Sequence, residues 1–262
     1  MNAHEIDYAI HGEEMQHVSI ELDPNETAIA ESGAFMMMDE GLQMETIFGD
    51  GSKQESGLLG KLMSAGKRML TGESLFMTAF TNVSHGKRTV HFASPYPGKI
   101  IPMNLAKLDG KIVCQKDAFL CAAKGVSVGI EWQKKLGTGI FGGEGFIMQK
   151  LEGDGMAFVH AGGHVFERVL TPGEVLKIDT GCVVAYTRGI DFDIQYVGGI
   201  KNTLFGGEGL FFATLRGPGT VWVQSLPISR LASRIISYGG MKRKEEGSVL
   251  GGIGNLLDGD GY

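Results

Sequence analysis

Long hydrophobic runs are missing from this chain of 262 residues: no uninterrupted apolar stretch reaches the roughly 18 residues of a membrane-spanning helix. An excess of positive charge is missing as well. With 24 Lys and Arg against 30 Asp and Glu, the formal charge of −6 repels a phosphate backbone, so nucleic acid is not an expected partner. Cysteine is scarce. Cys114, Cys121 and Cys182 are an odd count, lie in apolar strand-like runs and have no CxxC spacing, which reads as buried reduced thiols. The sequence has no GxSxG, phosphate-loop or dinucleotide fingerprint. Met1 to Glu14 is polar and acidic, unlike a secretory signal or an Arg-rich transit peptide. The expectation is a soluble cytoplasmic protein with no cofactor, no metal and no catalytic residues. A chain of this length buries roughly three quarters of its unfolded surface, so its core needs no staples.

What the chain has in abundance is glycine, 41 residues of it, and a repeated marker built from it. Phe141-Gly142-Gly143-Glu144-Gly145 returns 64 positions later as Phe205-Gly206-Gly207-Glu208-Gly209, and each copy runs into apolar residues. A fainter copy, Leu70-Thr71-Gly72-Glu73-Ser74, precedes Leu75-Phe76-Met77. Glycines before a β-rich run suit a tight turn, so each marker opens a strand. The same offset of 64 places the run from Lys107 on the run from Thr171, and an offset of 84 places Asp23-Pro24-Asn25-Glu26 on the run from Lys107, Phe35 on Phe119 and Gly41 on Gly125. The unit is written three times, the first copy carrying a 13-residue insertion.

Turn signals such as Asp23-Pro24-Asn25, Leu108-Asp109-Gly110 and Thr171-Pro172-Gly173 separate short apolar alternations, and no helical pattern intervenes as a βαβ fold would require. The fold class is therefore all-β. Three sequence-related β units are expected to pack about a pseudo-threefold axis in a sandwich- or barrel-like domain, because one unit alone cannot bury both faces of its sheet. The expected domain spans residues 1–238, with repeats at about 15–97, 98–162 and 163–227 and a C-terminal helix at 228–238; residues 239–262 form a flexible tail.

Two stretches have helical periodicity instead. Gly57 to Leu70 in the insertion sets Lys61, Lys67 and Arg68 off an apolar face, and the stretch from Ile228 sets Arg230 and Arg234 off another. These bases are candidate contacts for an anionic membrane surface or a protein partner, the alternative being apolar faces docked on the β core. Glu73, Glu144 and Glu208 hold equivalent places. They read as structural acceptors at their glycine turns, with a metal- or ligand-binding enzyme built on them as the alternative. His160 and His164 flank a turn without a third ligand, and His4, His11, His17, His85 and His91 look scattered. Met36-Met37-Met38, with Met44, reads as a strand alternating core and contact residues, against a soft binding surface. Trp222, Phe211 and Phe212 read as core, against base-stacking platforms of a nucleic-acid-binding module.

The insert running into Arg68-Met69-Leu70-Thr71-Gly72-Glu73-Ser74-Leu75-Phe76, the repeated FGGEG and Gly217-Pro218-Gly219-Thr220-Val221-Trp222-Val223-Gln224-Ser225 together resemble bacterial relatives of the altered-inheritance-of-mitochondria family of mitochondrial biogenesis proteins, over about Ile6 to Ile236. That resemblance implies a repeat fold similar to the subunit of the tryptophan RNA-binding attenuation protein, assembled as a homo-oligomer, a trimer by expectation. It implies no enzymatic activity and supplies no catalytic residues; RNA binding does not follow from the fold. The expected role is a scaffold or interaction protein, cytoplasmic and peripheral to an inner-membrane complex.

Overall fold

The computed structural model describes residues 3–48, 76–134, 146–197 and 210–238. The first of the units expected from the sequence, with the residues before it, contains β1 (Asp7–His11), β2 (His17–Leu22), β3 (Thr27–Glu31), β4 (Phe35–Met38), β5 (Leu42–Phe48), β6 (Phe76–Asn82) and β7 (Arg88–Ala93). The second contains β8 (Gly98–Asn104), β9 (Lys111–Gln115), β10 (Phe119–Ala123), β11 (Ser127–Lys134), β12 (Phe146–Glu152) and β13 (Met156–Gly162). The third contains β14 (Val165–Leu170), β15 (Val175–Asp179), β16 (Val183–Thr187), β17 (Asp191–Val197), β18 (Leu210–Arg216) and β19 (Gly219–Gln224), and α1 (Ile228–Tyr238) follows. The all-β expectation and the C-terminal helix both hold.

The strands form four antiparallel sheets in the orders β1-β2-β7-β4, β5-β6-β3-β10-β13-β8, β11-β12-β9-β16-β19-β14 and β15-β18-β17. The two six-stranded sheets are the same order advanced by six strands. Each joins half of one sequence unit to half of the next, through the pairs β3 with β10 and β9 with β16.

Local chemistry explains the recurrence. Asn25, Asp109 and Gly173, which the sequence offsets of 84 and 64 align, all take left-handed backbone, at φ of 72, 54 and 79°. These are residue types that tolerate this region, and each stands at the turn before a β3-type strand. Glu26 and Glu174 brace two of these turns alike, each carboxylate accepting from the backbone N–H three residues earlier, Asp23 at 2.8 Å and Thr171 at 3.0 Å.

Alternating side chains then build three cores. Val18, Ile20, Leu22, Val90 and Phe92 of the first sheet meet Ala28, Ala30, Phe80, Cys121 and Phe158 of the second. On the opposite face of the second sheet, Ile29, Phe119, Ala122 and Val159 pack with Ile112, Cys114, Val184 and Trp222 of the third. The third sheet meets the fourth through Val113, Met148, Val183, Tyr186, Ile194, Ala213 and Leu215. Strands β10 and β13 are covered from both sides, and every residue of β10 is buried.

Candidate functional site

Several predicted site residues lie outside the described residues: Gly72, Glu73, Gly142, Gly143, Glu144, Gly206, Gly207 and Glu208 of the marker, and Lys61, Lys67 and Arg68 of the insertion. Arg230 and Arg234 fall on α1, as the periodicity predicts.

The surface that departs from the core logic is β4. The sequence offsets align it with β10, buried at every position, and β16, buried except at Thr187. In β4 itself Phe35, Met36 and Met37 are 41%, 49% and 46% exposed, and Met38 packs against the first core. The expectation of a strand alternating core and contact residues is thus corrected. The physical reason is topological: among the described residues β4 ends its sheet, pairing with β7 alone, and no second sheet half extends past it. Phe35 is held flat on Phe80, ring centroids 5.4 Å apart, which fixes an apolar ridge at the edge.

Strand β15 ends the fourth sheet in the same way, pairing with β18 alone among the described residues. Val175 is 41% exposed there, while Leu176 and Ile178 lean on the third core. Arg168 and Glu174, 2.6 Å apart, clasp the turn that leads into it.

Histidines that look scattered in the sequence converge beside β4. Strand register sets His11 opposite His17 and His91 opposite both Ser19 and Met37, on the outer face of the first sheet. The rings of His11 and His17 stack at 4.7 Å, and that of His91 lies 5.4 Å from His17. Loss of water contact and the neighbouring imidazoles lower the pKa of His17. His91 Nδ1 is shut off from solvent without a hydrogen-bond partner. Among the described residues no group of three His, Cys, Asp or Glu is arranged to hold a metal ion. No sequence signal short of knowing the strand register would have found this cluster.

The remaining candidates belong to the interior. His160 is buried, its ring nitrogen donating to the Tyr96 carbonyl oxygen. Trp222 is 5% exposed and donates from Nε1 to Glu167 at 2.8 Å, so its ring is core, as read from the sequence. Cys114 and Cys121 are buried thiols, and burial raises the pKa of both; Cys182 is half-buried and in no disulfide. No helix among the described residues is long and apolar enough to cross a membrane.

Chemically, the sheet edges at β4 and β15, with their apolar side chains, offer main-chain pairing and hydrophobic contact, the means by which proteins add strands to one another. Comparison with known proteins agrees with the fold. Protein SPYM3_0169 of Streptococcus pyogenes, solved by crystallography, superposes with a TM-score of 0.69 at 24% identity, over 89% of this chain and 100% of that one. The uncharacterized protein M6_Spy0233 of Streptococcus pyogenes serotype M6 is 30% identical over 225 residues, 84% of this chain and 86% of its own length. The family model described as mitochondrial biogenesis AIM24 matches residues 8–226, and this chain belongs to that family.

Proposed function

We propose that this protein is a non-enzymatic, homo-oligomeric scaffold or interaction protein. The observation that carries the reading is the open edge at β4, where Phe35, Met36 and Met37 stand 41–49% exposed although the equivalent strand β10 is buried throughout. An exposed apolar edge is an aggregation hazard unless a partner covers it, and self-association is an economical cover. Light scattering at micromolar concentration tests this: a mass that is a multiple of 28.1 kDa is expected, a trimer by family resemblance, and a strict 28.1 kDa particle overturns it. The competing reading, a metal-dependent enzyme on Glu73, Glu144 and Glu208, predicts stoichiometric metal in the purified protein that is lost on Glu144→Gln.

A second role, reversible attachment at the periphery of an anionic membrane, is favoured by α1. Its apolar spacing gathers Ile228, Leu231, Ile235 and Ile236 on one side and sets Arg230 and Arg234 off it, and Ile235 and Ile236 are 62% and 55% exposed. Such a helix lies in the headgroup region, each exposed base adding about 1 kcal/mol near the surface. Flotation with anionic vesicles is expected at low salt, weakening as salt rises. No flotation at low salt removes direct lipid contact.

A further inference from the structure

The strand orders form a series whose third member is incomplete. Where β5-β6-β3 continues into β10-β13-β8 and β11-β12-β9 into β16-β19-β14, the corresponding β17-β18-β15 stops at β15. The missing half, by the same correspondence, is β4-β7-β2. It exists in the chain, but its β4 edge is open and not joined to β15 among the described residues. We infer that β15 of one copy pairs antiparallel with β4 of a second copy, completing a third six-stranded sheet across the subunit boundary. The inference rests on the oligomer reading above and names its contact.

The two internal junctions fix the register. In the first, Ala30, Ile29 and Ala28 face Cys121, Ala122 and Ala123; in the second, Cys114, Val113 and Ile112 face Ala185, Tyr186 and Thr187. The sequence offsets carry this over as Ile178 opposite Met37, Lys177 opposite Met38 and Leu176 opposite Asp39. Met37, 46% exposed, then joins Leu176, Ile178, Ala213 and Leu215 over the third core of the neighbouring copy.

His91 fits the same scheme. It faces Met37 as Phe158 faces Cys121 and Trp222 faces Ala185. Phe158 and Trp222 are 0% and 5% exposed because the preceding unit covers them, and only for the first unit must that cover come from another molecule. Lys177 is the departure, standing where Ile29 and Val113 stand in the internal junctions. An edge lysine discourages indiscriminate strand pairing, and its methylene stem still packs over Met38. A contact between unlike edges is head-to-tail, so copies close into a ring when the rotation allows.

The test uses full-length protein carrying Met37→Cys and Ile178→Cys in a Cys182→Ser background, mildly oxidised and run on a denaturing gel without reductant. Bands at multiples of 28.1 kDa that collapse on reduction, and no such ladder from either chain carrying one introduced cysteine, are expected. A cross-link confined to the monomer band closes the junction within one chain and overturns the inference. Absence of any cross-link in a protein that light scattering shows to be oligomeric overturns it too, while leaving the oligomer reading standing; a monomeric wild type defeats both. As a second variant, Met37→Arg is expected to weaken association at least tenfold with an unchanged circular-dichroism spectrum. A folded Met37→Arg protein that associates as wild type contradicts the proposed edge.

Discussion

His160 donates from Nε2 to the carbonyl oxygen of Tyr96 at 3.1 Å, and its ring meets the Tyr96 ring edge-on at 4.4 Å. Burial drives its pKa down from 6.5 to about 4, the bond to Tyr96 offsetting part of the fall. The unfolded chain therefore takes up a proton near pH 6.5 that the native state refuses until about pH 4. Stability is full above 6.5 and is lost as pH falls from 6.5 to 4, by up to about 3 kcal/mol from this group. Urea unfolding across that window is expected to show the loss in wild type and a flatter profile in His160→Gln.

Glu31 has the opposite sign. Its carboxyl, at the end of β3, is raised from 4.5 to about 7 by burial first and by Asp117 second, with Lys116 opposing. The native state holds this proton longer than the unfolded chain does, so stability is full below pH 4.5 and declines as pH rises to 7. Glu31→Gln, neutral at every pH, is expected to gain up to about 3 kcal/mol at pH 8 and nothing at pH 4, read by thermal melts at the two pH values.

Phe158, fully buried, fills the core between the first two sheets and meets the edge of Tyr8 at 4.9 Å. Truncation to alanine leaves a cavity under two sheets and is expected to cost about 3–5 kcal/mol, measured as a lower urea midpoint at unchanged slope. An effect under 1 kcal/mol would show that this core is not packed as described.

The three left-handed turn residues give a test free of side-chain contacts. A Cβ at Gly173 meets nothing within 4 Å, so Gly173→Ala should cost only the backbone strain of φ 79°, about 1 kcal/mol. Asp109→Gly is expected to stay within about 1 kcal/mol of wild type.

The β class was legible because it is written in local chemistry: the Asp23-Pro24-Asn25 turn and turns like it punctuate alternations that any strand pattern reveals. What Met36 and Met37 do was not legible. Their apolar pattern is that of β10, and only the position of β4 at the end of a sheet leaves them bare. The gathering of His11, His17 and His91 was hidden for a related reason, since it depends on pairing across three strands whose order is not the order of the chain. Trp222, in contrast, reads as core from its apolar neighbours in sequence and is 5% exposed.

Hydrogen exchange at the two open edges tests the central claim most directly. In full-length protein at a concentration where it is associated, amides of Phe35–Met38 and Val175–Ile178 are expected to be protected well beyond what their single-sided pairing with β7 and β18 provides, and that extra protection should vanish on dilution to monomer. Exchange at both edges that is the same in the associated and the diluted protein would contradict the account.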